Sequence, residues 1–432
     1  MTDGSILSRD QLRLIVLNCA YVAACCLSIV LTALAFPEYH ILFDARGAAG
    51  AVIVVLAFAA ATPLFALATF NFGYMTGFYL YVMVAGYLWL NAFSEFAYDH
   101  TLTGLSAVAS ALAFLFPALF ISSPLRQVYV LSPKAVDRLL ILILALSAAT
   151  IAVGASYNFM FVDLGNIYEY RDKLDFPRSL NYLIGITSNA LLPFAFAVCV
   201  EKRAFWRAAA VLLLLVLFYP VTLTKTAFFA PAWLLVVLAA SRFFESKTTV
   251  TVTMLVPVGI GLVLFGLYNI GAISFEAAPS YFRVVNLRMI AIPSLAMDYY
   301  NFFFARHDLT FFCQIRVVKA TMGCAYQDEL PTVIYKAFGV GGNFNASLFS
   351  TEGVASVGPF FAPLTALICG LIFGVGNRMA AGLPPRLILL SGALAAQIFL
   401  NLPLTIGMVT YGGALLFLLW YITPRTIFEP QT

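Results

Sequence analysis

Residues 49–71, AGAVIVVLAFAAATPLFALATFN, run for 23 positions without a charged side chain, and residues 73–93, GYMTGFYLYVMVAGYLWLNAF, follow equally uncharged. A bilayer core about 30 Å thick is crossed by roughly 20 residues of helix. The helix is required because lipid offers no partner to a free backbone N–H or C=O. The two runs therefore read as consecutive crossings. Working outward, the same reading applies to 14–36, 104–123, 139–157, 183–200, 208–223, 227–241, 250–273, 355–376, 387–404 and 405–422. Alternating apolar and polar positions, the mark of a barrel strand, are absent. The expected fold is an all-α polytopic membrane protein with about 12 transmembrane helices, a single integral domain over 1–432. Arg9 and Arg13 precede a first apolar run too long for a signal peptide, so a retained first helix is expected.

Composition agrees. The chain of 432 residues is 62% hydrophobic and 10% charged, where soluble domains hold roughly 45–50% and about 25%. That excludes a soluble globular protein, and with no basic polar face it also excludes nucleic acid as a partner. Charge position sets the orientation. With the amino end inside, the inner stretches hold 13 of the 24 basic residues and 6 of the 20 acidic ones, which leaves 11 and 14 outside. The +7 against −3 split follows the positive-inside rule and places both termini in the cytoplasm.

Nine of the 11 outer basic residues fall in two loops, 158–182 and 274–354, where insertion does not call for them. The first, NFMFVDLGNIYEYRDKLDFPRSLNY, carries Arg171, Lys173 and Arg178; the second carries Arg283, Arg288, Arg306, Arg316, Lys319 and Lys336. Local pairing with Asp163, Glu169, Asp172 and Asp175 is one reading of the first set, but long loops are also where a scaffold carries its site. The stretch YFRVVNLRMIAIPSLAMDYYNFFFARHD, 281–308, is apolar and aromatic yet interrupted by Arg283, Asn286, Arg288, Pro293 and Asp298. It suits an interfacial or re-entrant helix better than an ordinary crossing. Guanidinium groups at that depth grip phosphate oxygens through paired hydrogen bonds, which points to a lipid phosphate or pyrophosphate.

Cys19, Cys25, Cys26, Cys199 and Cys369 lie in apolar runs and read as small buried hydrophobes. Cys313 and Cys324 share the large outer loop, where an oxidising compartment favours a disulfide. Zinc is the weaker alternative, because His307 is the loop's only histidine. No nucleotide-binding, hydrolase or zinc-protease motif occurs. No acidic residue is expected near the middle of a crossing, which disfavours an ion-coupled carrier.

The most distinctive stretch is GVGGNFNASLFSTEGVASVGPFFAPLTALICGLIFG, 339–374, with a Gly-rich turn, Asn343, Asn345, Ser347, Glu352 and Gly358 before an apolar run. It resembles the end of the large periplasmic loop in Wzy-type O-antigen polymerases, and Tyr168-Glu169-Tyr170-Arg171 resembles that family's Arg-bearing periplasmic segment. The family's Arg-x10-Gly repeats are missing, since Tyr182 and Asn189 stand eleven residues after Arg171 and Arg178. The resemblance implies a fold similar to GT-C-type glycosyltransferases in the bacterial inner membrane. It implies a metal-independent polymerase without cofactor, acting on undecaprenyl-pyrophosphate-linked glycan, with membrane lipid, a chain-length regulator and a flippase as partners. On that reading Arg171, Arg178, Arg283 and Arg288 are expected to bind pyrophosphate, Arg306 less so. Glu352, Glu169 and His307 are the expected bases, in that order. Asn343, Asn345 and Tyr168 are expected at the sugar or the turn, and Tyr170, Tyr299 and Tyr300 as sugar-stacking groups or interfacial anchors. An O-antigen ligase would share the helices, the large outer loop and the arginines and differ in acceptor; a lipid-linked sugar flippase would need charges lining a cavity within the helices; a non-catalytic envelope assembly protein is the third alternative.

Overall fold

The computed structural model describes residues 8–163, 167–171, 173–339 and 350–428, with Tyr168 described in its backbone alone. Asn343, Asn345 and Ser347 lie outside the described residues. The described residues are 76% helix, with no strand among them. The longer helices are α1 Arg9–Ala35, α2 Ala48–Leu67, α3 Phe72–Asn91, α4 His100–Phe120, α5 Pro133–Ala155, α6 Arg178–Glu201, α7 Phe205–Thr222 and α8 Lys225–Ala240. They continue with α9 Ser246–Asn269, α10 277–304, α11 Leu330–Phe338, α12 Glu352–Ala380, α13 Pro385–Asn401 and α14 Gly413–Ile422. Several starts are written in the sequence as caps. Ser8 and Gln11 close a capping box on α1, and Asn71, Asp99 and Ser132 accept from the third backbone N–H of α3, α4 and α5.

Eight helices among the described residues, α1, α2, α4, α5, α6, α7, α9 and α12, are long and apolar enough to cross a membrane. This is a multi-pass membrane protein. The apolar segments read from the sequence coincide with helices, with one correction at the end. The single run expected over 405–422 is two helices, Leu404–Val409 and α14, because Gly412 at φ 78° turns the chain between them. The large loop 274–354 is also largely helical, holding α10, the short helix Arg316–Met322 and α11.

Contacts divide the chain into two compact units. The first comprises Met1–Ile121, Val250–Gly374 and Phe399–Leu404. Its core is α3, buried along nearly its whole length. Aromatic rings hold it there: Phe78 stacks on Tyr21 at 5.7 Å, Tyr81 on Phe58 at 4.7 Å and Phe72 on Phe373 at 5.4 Å. Such pairs contribute about 0.5–1.5 kcal/mol each beyond area burial. The second unit comprises Ser122–Thr249, Val375–Ile398 and Thr405–Thr432. There Arg425 donates to the carbonyls of Met379 and Ala381 and to that of Trp420, satisfying groups that the ends of α12 and α14 leave open. Asp137 accepts from Lys202 at 2.7 Å, and Arg386 donates to Glu201 at 2.6 Å.

Candidate functional site

In the first unit, the loops 36–47 and 92–99 are tied together. Ile41 and Ser94 form an isolated bridge, Leu42 N–H donates to Phe93 O at 2.9 Å, and Glu95 N–H donates to His40 O at 3.2 Å. This pairing sets His40 Nδ1 3.1 Å from Glu95 Oε2, with both side chains part-exposed. Phe96 is the hub beneath them, with ring centroids 5.4 Å from His40, 4.8 Å from Tyr299 and 4.5 Å from Phe302.

Helix α10 meets these loops at both of its ends. Near its start Arg283 lies 5.0 Å over the Phe36 ring, and near its end Asp298 accepts from Ser94 Oγ at 2.8 Å. It is not among the eight apolar spans. Its residues 283–291 are wound as a π-helix, in which Ile292 N–H reaches back five residues to Leu287 O. With that repeat, residues five apart lie on roughly the same side, one turn on. Arg283 and Arg288 thus share a face, and both are exposed. Their charges act on one phenol, Tyr39: burial and neighbouring Glu38 push its pKa up, while Arg288 and Arg283 pull it down. Arg288 makes no hydrogen bond or ion pair among the described residues.

Asp298 is fully buried. The Tyr98 hydroxyl contacts it and also lies 3.0 Å from Asn91 Oδ1 and 3.3 Å from Tyr87 Oη. No cation among the described residues faces the carboxyl, and burial pushes its pKa up to about 7. Tyr98 is raised much further, by burial and then by Asp298. Asp298 thus fastens the loop bearing Glu95 to α10.

Glu352, expected as the first-choice base, is only 7% exposed; its Oε2 accepts from Leu404 N at 3.2 Å, at the start of the helix Leu404–Val409. Such an end favours a carboxylate. Gly358, at φ 74°, breaks α12 just beyond its first turns. Thr310 N–H and Phe311 N–H donate to Ala355 O and Ser356 O at 2.8 and 3.1 Å. Cys313 and Cys324 are disulfide-bonded, with Cα atoms 5.1 Å apart, and Cys313 N–H donates to Thr310 O.

The other expected residues are dispersed. Arg306 donates to Ala97 O at 2.6 Å and covers the Phe302 ring at 4.1 Å, so it clamps the 92–99 loop. His307 is exposed and stacks on Phe303 at 3.9 Å. Tyr299 and Tyr300, expected to face sugar or the interface, are instead 0% exposed: both are packed into the core on the inner face of α10. Glu169, Tyr170 and Arg171 lie exposed on the short helix Ile167–Arg171 in the second unit, as does Arg178 at the start of α6.

Sequence reasoning passed over three members of this site. His40 and Glu95 are 55 residues apart and meet only through the loop bridge. Tyr39 joins them through its arginine neighbours, and the adjacent aromatic loops were the only local signal. The arrangement presents two guanidinium groups of α10 whose charges reach Tyr39 and, from the next residue on, an imidazole–carboxylate pair, His40 and Glu95, packed on Phe96. That chemistry suits an anionic phosphate ester with a group to be deprotonated beside it. No protein-family model, curated protein or solved structure matches the chain.

Proposed function

We propose that the protein is a membrane-embedded glycosyltransferase that polymerises undecaprenyl-pyrophosphate-linked repeat units at the periplasmic face of the bacterial inner membrane. The observation that carries the reading is the Arg283–Arg288 face of α10, where Arg288 makes no hydrogen bond or ion pair among the described residues. The resemblance of the 339–374 stretch to Wzy-type polymerases supports it. The topology proposed with it has twelve crossings, α1 to α9, α12, α13 and the pair Leu404–Val409 with α14, with α10 outside that count and both termini cytoplasmic. Alternation then carries the loops 36–47 and 92–99 to the same side, in keeping with the Ile41–Ser94 bridge.

In the reaction, a hydroxyl oxygen of the acceptor sugar attacks the anomeric carbon of the growing chain. The new glycosidic bond forms as the bond from that carbon to the pyrophosphate oxygen breaks. The electron pair leaves with undecaprenyl pyrophosphate, whose charge Arg283 and Arg288 hold. The acceptor's proton passes to a base, for which His40, oriented by Glu95, is the candidate beside the arginines. The test is purified protein in liposomes given lipid-linked repeat units. A ladder of polymer from the wild type, lost in Arg288→Ala, supports the reading. A single transfer to a different lipid acceptor would instead indicate a ligase, and no transfer at all would remove the proposal.

A further inference from the structure

Phe311 and Phe312 stand side by side in the left-handed region, at φ 47° and 60°. That region is strained for a bulky residue, and the strain persists only where the surroundings over-determine it. Three sets of contacts do so here. Pro359 has no N–H to return to Ala355 O, and Gly358 breaks α12 beside it, so the first part of this helix ends with carbonyls in need of donors. Thr310 N–H and Phe311 N–H supply them to Ala355 O and Ser356 O, and Thr310 Oγ1 lies 3.0 Å from Ser356 Oγ. On the other side of the turn, Cys313 N–H donates to Thr310 O and Ile315 N–H to Phe312 O, both at 2.9 Å. The third tie is the disulfide from Cys313 to Cys324.

The segment held by this turn carries Glu352, three residues before Ala355 on the same helix. Packing does not duplicate the disulfide. The helix Arg316–Met322 inside the closed loop buries no side chain, and Val317 and Met322 are 74% and 75% exposed. The two sulfurs are also unequal, since Cys313 is buried and Cys324 is part-exposed. A thiolate arriving from solvent therefore meets Cys324 first.

We propose that Cys324 is a thiol–disulfide exchange site for a protein dithiol of the Cys-x-x-Cys class, and that opening it releases the strained turn and loosens the seat of Glu352. The attacking thiolate forms a bond to Cys324 Sγ as the bond from that sulfur to Cys313 Sγ breaks. The electron pair leaves with Cys313 Sγ, which takes up a proton. The second thiol of the dithiol then attacks its own partner sulfur in the mixed disulfide and releases Cys324 as a thiol. The dithiol is oxidised by two electrons, and the Cys313–Cys324 pair is reduced by two. The proposal stands on the turn and its disulfide and does not require glycosyl transfer.

The test uses the full-length protein in detergent. A thioredoxin-type oxidoreductase whose second cysteine is replaced by serine should be trapped as a mixed disulfide, which peptide mapping should place on Cys324. Hydrogen exchange then compares the oxidised protein with protein reduced by dithiothreitol. Amides of 310–313 and 352–357 should exchange about tenfold faster or more after reduction, with α3 unchanged, and reoxidation should restore them. Phe311→Gly removes a side chain that is 59% exposed and relieves part of the strain, because glycine adopts positive φ freely. Reduction should therefore speed exchange much less in this variant, a difference that a crosslink serving stability alone does not produce. No capture, capture on Cys313, unchanged exchange over 352–357, exchange raised throughout α3 as well, or an equal response in Phe311→Gly overturns the proposal.

Discussion

Replacing Asp298 with asparagine should change how stability depends on pH more than it changes stability at any one acidic pH. The carboxyl is buried and its pKa is raised from 3.8 to about 7. In the unfolded chain it releases its proton near pH 4, whereas in the folded chain it keeps the proton until about pH 7. Over that window the native state binds more protons than the unfolded one. This group's contribution therefore makes stability fall as pH rises, and the fall levels off above about pH 7. At about 1.4 kcal/mol per pH unit, the interval from 3.8 to about 7 corresponds to roughly 4 kcal/mol. The replacement amide does not titrate. Its oxygen can still accept from Ser94, while its NH₂ faces the Tyr98 oxygen, so a loss of about 1 kcal/mol is expected at pH 4. By pH 8 the variant should have gained roughly 4 kcal/mol relative to the wild type, which for cooperative unfolding of a chain this long is a Tm difference of about 4 °C. The assay is thermal unfolding of the wild type and Asp298→Asn in the same detergent at fixed ionic strength, from pH 4 to pH 8. Parallel Tm–pH curves for the two proteins would refute the reasoning.

Two further outcomes follow from the same unit. With lipid-linked repeat units, His40→Gln should lower turnover by about 10²–10⁴-fold while leaving pyrophosphate binding intact. Turnover within a few-fold of wild type would move the base elsewhere, with Glu352 next to be tested. Cys313 and Cys324 should resist alkylation until reductant is added, as read by mass, and reduction should destabilise the fold by roughly 2–4 kcal/mol; two free thiols in protein from native membranes would contradict this.

The apolar helices were legible because a long apolar run in helical form is the simplest way for a chain to sit in lipid. The break at 410–412 was less so, since TYGG lies inside an otherwise continuous apolar stretch. The site was only partly legible. Sequence singled out Arg283 and Arg288 because insertion does not place basic residues there. What it could not supply was their common face: on a regular α-helix, residues five apart point in different directions, and only the π winding aligns them. The interruption of an apolar segment by Asp298 was visible, but its pairing with Ser94 and Tyr98, some 200 residues away, depends on tertiary contact. For the same reason His40 and Glu95 looked like separate loop residues. Glu352 was read as a residue shortly before a crossing, but that its carboxyl accepts from Leu404 N–H, 52 residues on, depends on tertiary contact.

The account turns on whether the Arg283–Arg288 face holds a pyrophosphate. Native mass spectrometry of the purified protein, titrated with undecaprenyl pyrophosphate and separately with undecaprenol, measures this directly. A charge-assisted bond contributes about 1.5–3 kcal/mol, so each Arg→Ala change should weaken pyrophosphate-lipid binding by roughly 10- to 100-fold. Undecaprenol should bind wild type and variants alike. Equal affinity of the wild type and the Arg283→Ala/Arg288→Ala double variant for undecaprenyl pyrophosphate would contradict the account.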